Sequence, residues 1–373
     1  MTTMQKKGST VKMRFTCATV FVITTYLYLG CFQGDILAVG QHVLSAGKTD
    51  YSYALAPVLI TVALLLLQLG VYAVARLKRR FHALTYLPSM MLLALVTSVS
   101  THPDTHHSLG AWVWAVPLLL AVWGFAVWVL RQLEPYEPEI HRPRWLSSLL
   151  WQNLLQLLVM MMLVQGVANH DRVFHERMKM ERLMQQGRYA EALRVGEYSL
   201  QADSSLTMLR IACLHKTGTL GERLFCYPLV GGSQAMLPDG VTTKALMWRM
   251  PRWMHRATAT AHRQGRERRR QLLPADYRLA ALLLDKRLDD FAREVTRVYR
   301  TDSAAMPRHF REALMLYTHR RAHPLLVYRN SVMEADFQDY QALERKYRDP
   351  RERQTALRDS YAGTYWYYYQ YGG

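Results

Sequence analysis

Residues 146–193 read LSSLLWQNLLQLLVMMMLVQGVANHDRVFHERMKMERLMQQGRYAEAL, and two solvents meet inside that stretch. Up to Val167 it carries no charge, the composition of a helix in lipid, where roughly 20 mostly apolar residues cross the hydrocarbon core. From Val173 charges arrive and the apolar residues fall three and four apart, the period of a helix packed on one side against a core in water. The sequence therefore predicts an all-α chain in three parts. These are a transmembrane bundle over 1–167, a helical domain over 168–360 and an aromatic tail over 361–373.

Working back from residue 146, four more apolar runs appear, giving expected spans at Met13–Phe32, Tyr53–Ala75, Phe81–Val99, Ala111–Leu130 and Leu146–Val167. Short loops keep Lys and Arg on the cytoplasmic side. Lys6, Lys7, Lys12 and Arg14 precede the first run, Arg76, Lys78, Arg79 and Arg80 follow the second, and Arg131, Arg142 and Arg144 follow the fourth. The alternate loops hold only Lys48. Five crossings with a cytoplasmic amino terminus are expected, which puts everything after about Ala168 outside. The absence of Asp, Glu, Lys and Arg from mid-span argues against a proton relay or an ion path. Gln68, Gln152, Asn153 and Gln156 are expected to bond neighbouring helices, and Pro88 and Pro117 to kink their spans.

The formal charge of +18 is shared, with 12 basic against 6 acidic residues before residue 168 and 35 against 23 after it. Without a nucleic-acid-binding motif, a basic domain beside a bilayer points to membrane lipids or an acidic protein, and not to nucleic acid. Cys213 and Cys226 flank the turn TGTLG at 217–221. Two antiparallel helices there would bring the thiols face to face for a disulfide; two buried free thiols are the other reading.

The segment ERLMQQGRYAEALRVGEYSLQADSS, residues 181–205, reads as a helical hairpin, its second helix opening at Tyr189 and stopping at Asp203. Gly187, Tyr189 and Ala192 resemble the Gly-x-Tyr-x-x-Ala signature of the tetratricopeptide repeat. That resemblance implies stacked helix pairs with a concave binding face, continued more loosely by 205–228, by 275–299 around Ala280 and Ala292, and by 306–317 around Ala313. The interruption carries MWRMPRWMHRATATAHRQGRERRR at 247–270. There Trp248 and Trp253 among arginines fit either a segment lying in the headgroup region or an ordinary helix with a charged face.

For chemistry, His102, His106, His107 and His170 would face the same membrane side and are weak candidates for a zinc site, against unpaired loop histidines. Asp35 stands in the first outside loop, where membrane glycosyltransferases keep a catalytic acid, although Asp50 lies at the far end of that loop. No Walker sequence, nucleophile elbow, HExxH pair or Gly-rich dinucleotide loop occurs, and no cofactor is implied.

TTYLYLGCFQGDILAVGQHVLSAGKTDYSYALAPVLITVALLLLQLGVYAVARL, at 24–77, and TYWYYYQY, at 364–371, resemble an uncharacterised bacterial family of multi-pass membrane proteins. The resemblance implies topology and supplies no activity. In a bacterium the outside domain would be periplasmic. The tail, with Tyr365, Trp366, Tyr367 and Tyr369, has three readings: a cover over the last repeat, an interfacial belt, or a contact for a ligand or partner. The combined expectation is an inner-membrane protein with five helices and a periplasmic TPR-like domain. That domain would bind another envelope protein, as scaffold or assembly factor. The rival is a membrane enzyme on a lipid-linked sugar, working through Asp35.

Overall fold

The computed structural model describes residues 2–77, 79–98, 111–133, 148–264, 272–300 and 305–372. Every element among them is helical, and the chain divides into two units, Met1–Asp171 and Arg172–Gly373.

In the first unit, α1 (Thr2–Leu27) passes through a π-helical turn (Tyr28–Phe32) into α2 (Gly34–Leu44). There follow α3 (Leu55–Ala75), a 3-10 segment (Arg79–Tyr86), α4 (Leu87–Thr97), α5 (Trp112–Leu133) and α6 (Ser148–Val167). Among the described residues, four helices are long and apolar enough to cross a membrane: Val11–Phe32, Leu55–Ala75, Trp112–Gln132 and Leu149–Val167. They leave large apolar side chains such as Leu66, Val74, Leu118, Phe125 and Leu163 exposed, as helices in hydrocarbon do and helices in water rarely do.

The expected third span is not one continuous helix. The 3-10 segment breaks at Phe81, where φ is −112° and ψ is 19°, and α4 starts at Leu87 with Pro88 in its first turn. Pro88 thus opens a helix instead of kinking one, since a first turn does not need its missing N–H. The carbonyl that residue 88 leaves unbonded, Leu84 O, accepts the Trp123 indole N–H of α5 at 2.9 Å.

Despite the break, 79–97 runs the length of α6. At one end Asn153 accepts the Ala83 N–H at 2.7 Å and donates to Arg79 O at 2.8 Å; at the other, Asn169 N–H donates to Thr97 O at 3.2 Å. At helical rises both paths are about 23 Å long. Helix α1 keeps the same alignment, with Met13 Sδ 3.6 Å from the Asn153 amide and Tyr28 OH donating to Thr97 Oγ1 at 3.2 Å. Helix α3 runs opposite: Gln68 donates to Thr85 Oγ1 at 2.9 Å, and Ser89 to Leu64 O at 2.8 Å. In α5, Arg131 donates to Ala75 O at 2.8 Å and so caps the carbonyl end of α3. Gln68 and Asn153 make the expected interhelical bonds, whereas the Oε1 atoms of Gln152 and Gln156 are buried without a partner among the described residues.

The second unit is a succession of helix pairs: α7 (Arg172–Gln185) with α8 (Tyr189–Ala192), α9 (Ser204–Lys216) with α10 (Leu220–Arg223), and α12 (Ala275–Leu284) with α13 (Leu288–Val298). Helix α11 (Arg252–Gln264) lies between the last two pairs, and α14 (Arg308–Arg320), α15 (Ser331–Lys346), α16 (Pro350–Tyr361) and α17 (Tyr365–Tyr371) close the chain. The first helix of each pair ends in the same left-handed cap. Gly187, Gly218 and Lys286 have φ of 76°, 69° and 57°, and the N–H of the next residue reaches back to Leu183, Leu214 and Leu282 O. Lysine does at the third turn what glycine does at the first two.

The second helices are shorter than the hairpin reading expects. Helix α8 gives way to turns because Gly196 has φ of 62° and lies against the Glu176 carboxylate, where a Cβ would meet Oε2 at 2.3 Å. Helix α10 likewise stops after Arg223. Cys213 is consequently buried and Cys226 exposed, both as free thiols, so the facing-helix geometry for a disulfide is not formed.

Candidate functional site

Asp35 lies in the first turn of α2, half-buried, just beyond the Tyr28–Thr97 bond, at the end of the bundle opposite Asn153. Its Oδ1 accepts the Tyr53 hydroxyl at 3.2 Å, and Tyr53 stands edge-to-face with Tyr51, ring centroids 4.9 Å apart. The Tyr53 ring covers Gly34, where a Cβ would come within 3.2 Å of it. The π turn ends with Gln33 N–H on Tyr28 O at 3.1 Å and tucks the Gln33 side chain inside. Among the described residues, Gln33 Oε1 and Tyr51 OH are both buried with no hydrogen-bond partner. Burial and the Asp35 charge push the Tyr51 phenol up to about 12, so it stays protonated. Asp35 is the member that the sequence pointed to. Gln33, Tyr51 and Tyr53 were not singled out, and the only signal for them is the doubled tyrosine of YSY ahead of an apolar run.

The metal candidates do not form a site among the described residues. His102, His106 and His107 lie outside them, His170 is exposed, and no three His, Cys, Asp or Glu side chains of the described residues gather for an ion.

The basic segment packs inward. Glu181, fully buried in α7, accepts the N–H groups of Leu246, Met247 and Trp248 at 2.8, 2.6 and 3.1 Å, and Arg177 holds its other oxygen at 3.3 Å. Trp248 and Met254 therefore join the core, and Trp253 sits edge-on to Tyr277 with centroids 4.9 Å apart. The headgroup reading is corrected on this point: the two tryptophans are packed within the second unit. Ahead of them, Asp239 is tied down by its neighbours. Burial would raise its pKa, but the Thr242 hydroxyl and the N–H groups of Thr243, Val241 and Thr242 bring it down to about 2.

The tail is α17, laid across the second unit. Thr364 caps it, its hydroxyl accepting the Tyr367 N–H at 3.3 Å. Glu312 of α14 is the anchor: its carboxylate accepts the Tyr365 N–H at 2.7 Å, and its carbonyl accepts the Trp366 indole at 2.8 Å. Tyr368 OH reaches Leu284 O at the end of α12 at 3.1 Å, Lys286 Nζ donates to Gly372 O, and Tyr340 OH of α15 donates to Gln370 at 2.5 Å. Tyr365 and Trp366 are buried, which removes them as contacts for an outside partner while the tail is docked; Tyr367 and Tyr369 are half-buried. Behind the anchor, Glu312 also holds Arg308 Nε at 2.7 Å and His309 Nδ1 at 2.9 Å. Burial draws the His309 pKa down, but the thiol of Cys226 and the Glu312 carboxylate outweigh it and leave it raised.

No curated protein and no solved structure matches the chain. A family model does, over 105–257 and 266–372, a match that takes in α5, α6, nearly all of the second unit and the aromatic ending. With most of its length covered, the chain belongs to the family of unknown function DUF6057.

Proposed function

We propose that this is an integral membrane protein of a bacterial inner membrane, with five crossings and a cytoplasmic amino terminus. Its second unit is a periplasmic, TPR-like module that docks another envelope protein as scaffold or assembly factor. One observation carries the reading: the two ends of the first unit differ in charge. Arg14, Arg76, Arg79, Arg80 and Arg131 belong to the end marked by Asn153, while the chain leaves α6 for the second unit at the Thr97 end, where Lys48 is the only lysine or arginine of the neighbouring loops. The alignment of 79–97 with α6 supports a third crossing made of two shorter helices, and that crossing sets the parity. Without it, the second unit would lie on the amino-terminal side.

The repeated left-handed caps support the TPR-like reading. With Tyr365 and Trp366 of α17 buried, docking is assigned to the surface where Leu325, Val327 and Val332 stand exposed within eight residues. Gentle extraction from native membranes, with crosslinking and mass spectrometry, tests the proposal. A reproducible stoichiometric protein partner is expected, and repeated recovery of the chain alone would overturn it. The Asp35 cluster favours a second reading, an enzyme on a lipid-linked sugar. In this loop Tyr53 bonds the Asp35 carboxylate, whereas Gln41 meets Asp50, the other acid, through its backbone carbonyl, at 3.3 Å. Asp35→Ala separates the two, being silent for a scaffold and abolishing activity in an enzyme at normal abundance.

A further inference from the structure

A set of reactive side chains meets in the second unit, where the tail runs beside the turn that follows α10. His309 and Glu312 share α14, and Nδ1 of the ring stands 2.9 Å from the carboxylate. A carboxylate only accepts, so Nδ1 carries the hydrogen. The opposite nitrogen, Nε2, accepts the Phe225 N–H at 3.4 Å, which a protonated nitrogen could not do. The neutral ring therefore turns its lone pair toward the 3-10 turn Leu224–Cys226. Phe225 lies edge-on to that ring, centroids 5.0 Å apart, and the thiol of the next residue, Cys226, is a further hydrogen-bond partner of the same ring. Thiol, accepting imidazole and carboxylate thus stand in sequence, the arrangement that activates a nucleophile.

The ends of this set differ in access. His309 and Glu312 are buried, whereas Cys226 is exposed. Beside the thiol Gly363 offers backbone alone: its carbonyl oxygen lies 4.0 Å from Sγ, and a Cβ there would stand 3.5 Å from the sulfur. An acyl transfer needs N–H donors for a developing oxyanion. The N–H groups of Phe225, Thr364 and Tyr365 are already bonded, to His309, Tyr361 O and Glu312. Displacement at sulfur builds no oxyanion and needs only a thiolate and a leaving thiol.

We propose that Cys226 is a nucleophile for thiol–disulfide exchange, with His309 as its proton acceptor and a disulfide from outside the chain as its substrate. Sγ gives its proton to His309 Nε2 and attacks one sulfur of the disulfide. The S–S bond breaks, Cys226 is left in a mixed disulfide, and the departing thiolate takes the proton back. One thiol and one disulfide enter, and one of each leaves, so atoms and electrons balance without a cofactor. The inference is independent of the scaffold reading and of the membrane orientation, because all its residues belong to the second unit.

The test uses the full chain in detergent as Cys31→Ser, whose other cysteines, Cys17 and Cys213, are buried. The probe is dipyridyl disulfide, which is uncharged and releases a coloured thione. At neutral pH the protein is expected to release one equivalent about tenfold faster than N-acetylcysteine amide does. Peptide mass spectrometry should place the adduct on Cys226. Adding His309→Gln should bring the rate down to that of the model thiol, while chymotrypsin shows whether the tail is still docked. With the tail docked, an unchanged rate in His309→Gln would overturn the proposal. With the tail freed, the comparison between the chain that keeps His309 and the model thiol decides. A rate no greater than that of the model thiol overturns the proposal in either case.

Discussion

The two units solve one problem, holding helices together, under opposite solvents. In the first, apolar side chains face outward, and the fixed points inside are single amides and hydroxyls: Asn153 on Arg79 and Ala83, Gln68 on Thr85, Ser89 on Leu64. In the second, the apolar residues form a continuous interior, and the fixed points are two buried carboxylates, Glu181 on the 246–248 loop and Glu312 on the tail. Neutral groups suffice where lipid gives the helices no hydrophobic reason to associate and any charge is costly. Where water surrounds the fold, a buried carboxylate with several N–H donors fixes a distant segment more firmly, and its loss strands several charged or polar partners.

The largest expected effect is therefore at Glu312. Glu312→Leu leaves His309, Arg308 and the Tyr365 N–H without their acceptor and should cost about 3–5 kcal/mol. For a unit this size that is a fall of about 6–20 °C in melting temperature, with chymotrypsin cutting at the freed aromatic tail. A loss under about 1 kcal/mol would mean that the carboxylate does not anchor the tail.

Docking of the tail should also depend on pH through His309, whose pKa is raised in the folded state. The contribution is then full below the unfolded value, about 6.5, and disappears as pH rises through the folded one. Protection of the tail from chymotrypsin should weaken as pH rises above neutrality and become flat in His309→Gln.

In the first unit the matching change is smaller. Asn153→Leu removes the amide that joins α6 to the 3-10 segment and should cost about 1–2 kcal/mol, read as a lower unfolding temperature in detergent. An effect as large as that of Glu312→Leu would erase the contrast between the units.

The smallest expected effect is at the left-handed turn of α12. Lys286→Gly relieves backbone strain of about 1 kcal/mol but gives up the contacts with Gly372 and the Tyr368 ring, leaving a net change under about 1 kcal/mol. Lys286→Ala keeps the strain and loses the contacts, so it should be the more destabilising in thermal unfolding.

What could be read in advance follows the same division. Long apolar runs and the Gly187 turn are local signals, and α3, α5, α6 and the α7 cap stand where they indicate. The expected third span is not a single helix because Pro88 and the turn at Phe81 split it, and Asn153 on α6 and Asn169 just past its end align the pieces. Lys286 could not be found from composition, since its left-handed conformation is held by partners far along the chain. Of the polar cluster, Asp35 was visible as a lone acid between apolar runs. Gln33 and Tyr51 gain meaning only when the π turn and the packing around Gly34 bury them.

The central claim is that the second unit lies across the membrane from the basic end of the first. Cys226 is an exposed thiol of the second unit, and in Cys31→Ser the remaining cysteines, Cys17 and Cys213, are buried. Treating intact cells that carry this variant with a membrane-impermeant maleimide able to pass the outer envelope tests the claim directly. The account predicts labelling of Cys226 without lysis. Labelling only after the inner membrane is opened would contradict it and return the second unit to the cytoplasm.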